Sequence, residues 1–360
     1  MNGAGHGQAT AIPARRILVM RYRFIGDTIL TVPFLRNLRR AYPQATIDVL
    51  VGPESGAVLA GCPYANELIP FDTTRFHKYD SGQGRPRGFL SYALELRGRR
   101  YDLVFVLKRS LSSGVLSFLT GARYRVGYNT QGRRIFLTHP VDWDRTVHEV
   151  TSTLAVLRAA GVPVTDDHLE AFVSDEERAE IERLVPELAD PRPHVVIHAA
   201  AAHPDKMYPL PHWAAVIARL AAQYDILPFF TGAARDYRLY EELASLSGVA
   251  AVNLAGKLTL RQSLALYERM DLAACVDSGP AHMAAAAGTP TVALFGHTDP
   301  RRWRPWGDRH LVVTAPGQES GRCPVHERCP TEPCLARLSP EAVASRCSTA
   351  LDSQLSAAGG

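Results

Sequence analysis

Short apolar runs recur along this chain, each closed by a polar or glycine-containing turn and followed by a stretch of helical periodicity. That alternation constrains the fold most, because a strand returned to its sheet through a helix runs parallel to the strand before it. Strands are expected at Arg16–Met20, Thr46–Val51, Glu67–Phe71 and Asp102–Leu107, and helices at His148–Ala160 and Ser174–Leu184. The Pro-rich polar segment Ala189–His194 then breaks the pattern and reads as a linker. Alternation restarts with strands at His194–His198, Ile226–Thr231, Leu272–Val276, Thr291–Phe295 and His310–Thr314, and with helices at Pro211–Tyr224 and Ala234–Leu246. Ser339 and Pro340 supply an N-cap and a first-turn proline for a last helix over 339–355.

A chain of 360 residues is long for one core, so two domains are expected, 1–188 and 189–360, each an α/β doubly wound parallel sheet. Such sheets bind ligands at their C-terminal edges, and two in tandem are expected to face each other across a cleft that holds the site. No run approaches the roughly 20 apolar residues of a membrane span. The first dozen residues lack the basic start and apolar run of an export signal, so a cytoplasmic protein is expected.

Net charge is +4, but residues 1–140 hold 20 Lys and Arg against 8 Asp and Glu, while the remainder holds 20 against 28. A basic first half draws an anionic partner: nucleic acid, a membrane surface or a phosphorylated substrate. Arg36, Arg39 and Arg40 form one such cluster, Lys108 and Arg109 another. No nucleic-acid motif accompanies them, which argues against that partner. Six thinly spread cysteines suit reduced thiols. Cys323, Cys329 and Cys334, with only His326 between them, lack the usual pairing of zinc ligands, so a structural loop and no metal are expected.

Three segments carry chemistry. Arg21 to Thr28 follows the first strand and opens a helix; its single glycine, Gly26, does not make the glycine fingerprint of a dinucleotide site, but it presents the carboxylate of Asp27 at a strand end. The plain alternative is that Asp27 caps the helix. In Asp277, Ser278, Gly279, Pro280 and His282 a buried strand turns directly into a helix whose first amides suit a diphosphate. The loop after the first strand of the second half carries Lys206, a phosphate contact, and the turn at Thr231 and Gly232 with Arg235 suits close approach to a base or ribose. Asp142 and Asp144 flank Trp143 in a spacing that can ligate a hard cation, but they fall in a connecting segment, so no metal is expected there.

Together these residues resemble glycosyltransferase family 9, the ADP-heptose:lipopolysaccharide heptosyltransferases. The resemblance runs from about Arg16 to Val343 through Ile17–Arg21 with Gly26-Asp27-Thr28, Arg125–Tyr128, His148-Glu149, the Lys206 loop with Trp213, Val276–His282 and Leu294–Pro300. It implies a GT-B fold of two Rossmann-like domains. The acceptor is then bound by the first, through Arg21, Arg23, Gly26 and Arg109, and the nucleotide sugar by the second. Asp27 becomes the catalytic base of an inverting transfer, Lys206 a donor diphosphate ligand, and Gly232, Arg235, Asp277, Ser278, Gly279 and His282 parts of the donor pocket. The expected reaction moves heptose from an ADP-sugar to an anionic lipopolysaccharide-core glycolipid, with no cofactor and with peripheral contact at the inner membrane face. A nucleotide-sugar epimerase of the same architecture would need no acceptor. A non-catalytic sugar-nucleotide or lipopolysaccharide-binding protein would not need Asp27.

Overall fold

A computed structural model describes residues 10–72, 88–316 and 334–358. The chain divides into two compact units, Met1–His168 and Leu169–Gly360. In the first, β1 (Arg16–Met20) leads through α1 (Ile25–Ile29) and α2 (Val32–Ala41) to β2 (Thr46–Val51) and β3 (Glu67–Pro70). Then follow α3 (Phe89–Gly98), β4 (Leu103–Val106), α4 (Leu111–Leu119), β5 (Tyr124–Tyr128), a 3-10 turn at Arg133–Phe136, β6 (His139–Val141) and α5 (Glu149–Ala159). The second opens on α6 (Asp175–Leu184), then β7 (His194–His198), α7 (Leu210–Tyr224), β8 (Leu227–Phe230), α8 (Tyr237–Ser247), β9 (Val252–Asn253) and α9 (Leu260–Tyr267). It continues with β10 (Leu272–Val276), α10 (Gly279–Ala286), β11 (Thr291–Phe295), α11 (Pro300–Trp303), β12 (Leu311–Thr314) and α12 (Pro340–Ala358).

Both sheets are six-stranded and parallel, in orders β3-β2-β1-β4-β5-β6 and β12-β11-β10-β7-β8-β9. Counted within its own unit, each runs 3-2-1-4-5-6, the Rossmann order. The strand order reverses between β1 and β4 in one and between β7 and β10 in the other, and the loops leaving those strands form each ligand crevice. All eight central side chains of Leu103–Val106 and Ala273–Val276 are buried, as sheets covered on both faces require.

α6 and the segment after it belong with the second unit. Its capping box, Ser174 with Glu177, starts the helix, and Arg178 bonds Glu268 at 2.7 Å while Arg261 binds Glu177 at the head of α9. The division therefore falls some twenty residues before the Pro-rich segment expected as the linker, because these ion pairs hold α6 to α9. Strands β5, β6 and β9 carry weak apolar patterning. Gly127 sits in β5 because a Cβ there would stand 2.8 Å from the Val106 carbonyl oxygen.

Part of the basic first half is spent on structure. Arg36 bonds Asp166 at 2.9 Å and also His168, Arg39 bonds Asn66 at 2.6 Å and the Ala45 carbonyl at 2.7 Å, and Arg40 pairs with Asp166. The cluster read as an anion-attracting face thus fastens α2 to 165–168 and to the turn before β2. Arg99 likewise grips Glu67 through two bonds of 2.6 and 2.9 Å.

Candidate active site

In the first unit, Arg21 leaves the end of β1 into the switch point, and its side chain is 1% exposed. Its Nε donates to the Asp27 carbonyl at 3.1 Å, Nη1 to the Leu107 carbonyl at 3.1 Å and Nη2 to Glu149 Oε1 at 2.8 Å. The same Nη2 stands 3.5 Å from Asp27 Oδ1. Burial opposes its charge, but Asp27 and Glu149 hold the guanidinium above its ordinary pKa. Glu149, fully buried as the first residue of α5, benefits from the positive helix end and accepts from Arg109 Nη1 at 2.8 and 2.9 Å. Arg109 in turn lies 4.4 Å over the Trp143 ring.

This arrangement corrects one expectation: the residue capping α1 is Phe24, not Asp27, which occupies the first turn and leaves its carboxylate toward Arg21. Arg21, expected to bind the acceptor, is 1% exposed, with its guanidinium bonded to the Asp27 and Leu107 carbonyls and to Glu149. Asp27 itself keeps its side chain 12% exposed, so the carboxylate is reachable. Lys108, after β4, stands 5.4 Å over Phe24 and 5.8 Å over Tyr22. Burial depresses its pKa to about 8, Asp27 opposes the shift, and Arg21, Arg23 and Arg109 add to it. Sequence reading noted Lys108 only as a charge and Glu149 only as part of a resemblance; neither spacing nor periodicity signals a fold-dependent network. Arg23 holds a φ of 128°, a strained conformation for a side chain with a Cβ, and stacks 4.9 Å over Phe24. Gly26 is buried in α1.

In the second unit, β7 delivers the loop to Lys206, whose Nζ donates to Asp277 Oδ2 at 2.7 Å. Thr298 Oγ1 donates to the same oxygen at 2.6 Å. Asp277 directly follows β10 and is 8% exposed, so burial and two short bonds fix this pair at the switch point. Ser278 is the N-cap of α10, yet its hydroxyl donates to the Val276 carbonyl at 3.1 Å and makes no cap bond. The first-turn amides of α10 are therefore not occupied by that side chain, as suits an anion. His282 is buried in the same turn. It adds to the depression of the His310 pKa to about 4, after burial, Arg309 and Arg304.

Gly232 is a packing necessity: a Cβ there would lie 2.9 Å from the Tyr240 ring. That buried phenol accepts from the Ala199 and Ala200 amides at 3.0 and 3.3 Å and donates to the Thr231 carbonyl at 2.7 Å, tying the two loops together. Arg235 projects into solvent, 77% exposed, with Asp236 3.8 Å away. Structure thus brings Lys206, Asp277, Ser278, Gly279 and His282 to one edge and joins Gly232 to it through Tyr240. Asp144 spends Oδ1 on the Thr146 amide and hydroxyl, at 2.7 and 2.6 Å, in a local turn. Cys323, Cys329 and His326 lie outside the described residues, and Cys334 is buried.

Comparison with known proteins converges on this chemistry. The family model described as glycosyltransferase family 9 (heptosyltransferase) matches residues 89–334. Lipopolysaccharide heptosyltransferase 3 of Escherichia coli is 31% identical over 303 residues, covering 81% of this chain and 87% of that protein. A family 9 glycosyltransferase structure from Veillonella parvula superposes with a TM-score of 0.81 at 24% identity, covering 96% of this chain and all of its own. The E. coli heptosyltransferase WaaC, solved with ADP, gives 0.73 at 21% identity over 93% of this chain and 99% of that one. The chain is a member of glycosyltransferase family 9, the heptosyltransferases.

Proposed function

We propose that the chain transfers heptose from ADP-heptose to a lipopolysaccharide-core glycolipid by a single inverting displacement, with the donor on the second unit and the acceptor on the first. The observation that carries this reading is Asp27, a reachable carboxylate held by a buried Arg21–Glu149–Arg109 network at the first switch point. Asp27 takes the proton of an acceptor hydroxyl as that oxygen attacks the anomeric carbon. The bond from that carbon to the β-phosphate oxygen breaks, and ADP leaves with the electron pair.

Charge growing on the diphosphate is met by Lys206 and the α10 amides at Ser278 and Gly279, with His282 beside them. Lys206 exchanges part of its bond to Asp277 for the phosphate, while Thr298 keeps Asp277 in position. Gly232 and Arg235 border the nucleoside end. Arg23, Lys108 and Arg109 offer cations to a phosphorylated acceptor. The chemistry is served by these groups without a cofactor. A glycolipid acceptor implies work from the cytoplasm at the inner membrane face, consistent with described residues that hold no helix long and apolar enough to cross a membrane.

An epimerase acting on the donor alone would have no use for this charged frame. The test is incubation of purified chain with ADP-heptose, with and without a heptose-deficient core glycolipid. Transfer only with acceptor, ADP release in equal amount and inverted anomeric configuration by NMR are expected. An isomerised sugar formed without acceptor would overturn the reading.

A further inference from the structure

The other face of the first sheet carries a feature that transfer chemistry does not use. Leu18, Met20, Val104 and Val106 point to the side covered by α3 and α4, with the 3-10 turn at Arg133–Phe136 packed on α4. Phe34 of α2 meets Phe105 on the opposite side. Outward from α3, Leu90 and Leu94 stand one turn apart, each 70% exposed. Leu111 and Phe118 of α4 and Ile135 of the turn add three more exposed apolar side chains, Ile135 at 78%. Single exposed leucines are ordinary, but five large apolar groups on three contiguous elements mark an interaction surface.

The charge on this face is mainly basic. Residues 103–141 hold no Asp or Glu; of their six Lys and Arg, Lys108 and Arg109 lie at the switch point and Arg133 is buried, which leaves the others to the outside. Arg123 and Arg134 are exposed among them, and Arg97 joins from α3. Glu95 is the one acid of α3, and it is bonded to Arg99 at 3.2 Å. Phe118 is set in place by Arg125, whose guanidinium lies 5.5 Å over the ring while its Nε donates to the Phe136 carbonyl at 2.6 Å.

We propose that the outer face of α3, α4 and the Arg133–Phe136 turn is an interfacial docking surface for an anionic phospholipid bilayer, its leucines, isoleucine and phenylalanine entering the headgroup region and its arginines pairing with lipid phosphates. Aliphatic groups ringed by cations match that interface. A second copy docked symmetrically through this same face would meet like charge and be repelled. The proposal extends the glycolipid-acceptor reading by naming the surface that holds the enzyme beside its substrate, but vesicle binding and transfer are measured separately, so each can fail alone.

The experiment is sedimentation of the full chain with phosphatidylglycerol or phosphatidylcholine vesicles at low and high salt. Replacing Arg97, Arg123 and Arg134 by Gln should weaken binding to the anionic vesicles on the order of 100-fold, about fivefold per charge near the surface. Replacing Leu90, Leu94 and Ile135 by Ser should abolish the binding that survives high salt. Gln at Arg158, Arg183 and Arg346, exposed elsewhere, serves as the charge-matched control and should bind like wild type. All variants should keep wild-type melting temperature and wild-type transfer to a water-soluble acceptor analogue. Unchanged vesicle binding in both face variants would overturn the proposal. So would wild-type self-association, seen by sedimentation velocity and lost in the Ser variant while vesicle binding persists.

Discussion

Replacing Glu149 by Ala removes the one carboxylate shared by two arginines at the first switch point. Arg21 would keep its bonds to the Leu107 and Asp27 carbonyls but would lose its 2.8 Å partner, leaving a guanidinium 1% exposed opposed by Asp27 at 3.5 Å. Arg109 would lose both of its carboxylate bonds. Breaking a buried ion pair from one side costs about 3–5 kcal/mol, because the stranded charge stays out of water. At roughly 2–4 °C per kcal/mol for a unit of this size, the transition of the first unit should fall by about 6–20 °C. Glu149→Gln should lie between, since its amide accepts from Arg21 but turns a donor toward Arg109. Calorimetry with and without ADP separates the two units, because ligand bound to the second stabilises it selectively. A Glu149→Ala protein within about 1 kcal/mol of wild type by this measure would refute the argument that the network is a buried charge frame.

Three other outcomes follow. Lys206→Ala should weaken ADP binding about 10- to 150-fold, the value of one charge-assisted contact of about 1.5–3 kcal/mol, and unchanged affinity by titration calorimetry would remove Lys206 from the donor site. Lys108 loses its proton near pH 8, so transfer to a phosphorylated acceptor should fall above that pH, and Lys108→Arg, which stays charged, should extend the alkaline limb. Because its folded value is depressed from 10.5, the wild type should also gain stability relative to Lys108→Met as pH rises from 8 to 10.5; a flat difference would contradict this. Gly232→Ala forces a Cβ to 2.9 Å from Tyr240, a ring too buried and too bonded to yield. Denaturant unfolding should register a loss of about 1–3 kcal/mol, and an unaffected midpoint would count against that packing constraint.

Much of the fold was legible because parallel strands buried on both faces leave continuous apolar runs, as in Arg16–Met20, Thr46–Val51 and Thr291–Phe295, which run as the sequence predicts. Where that cause weakens, so does the signal. β5 carries Arg125 and Gly127, and β6 is three residues with Pro140 at its centre, so neither stands out. α6 is marked by its capping box, but which unit it joins is decided by Arg178–Glu268 and Arg261–Glu177, contacts between residues some 80–90 positions apart. The same limit applies to the sites. Asp27 and Asp277 are visible as carboxylates at strand ends. The buried Glu149 that pairs with Arg21 beside one and the Thr298 that bonds the other are brought in by topology, and so is the burial of Arg21 itself.

The central claim, that Asp27 is the base, is tested most directly by the turnover of Asp27→Asn. Asparagine keeps the size of the side chain, and Arg21 keeps Glu149, so folding and ADP affinity should match wild type. Only the proton acceptor is gone, and transfer of heptose should slow by about 10²–10⁴-fold. An Asp27→Asn enzyme that folds, binds ADP and turns over at near the wild-type rate would contradict the account.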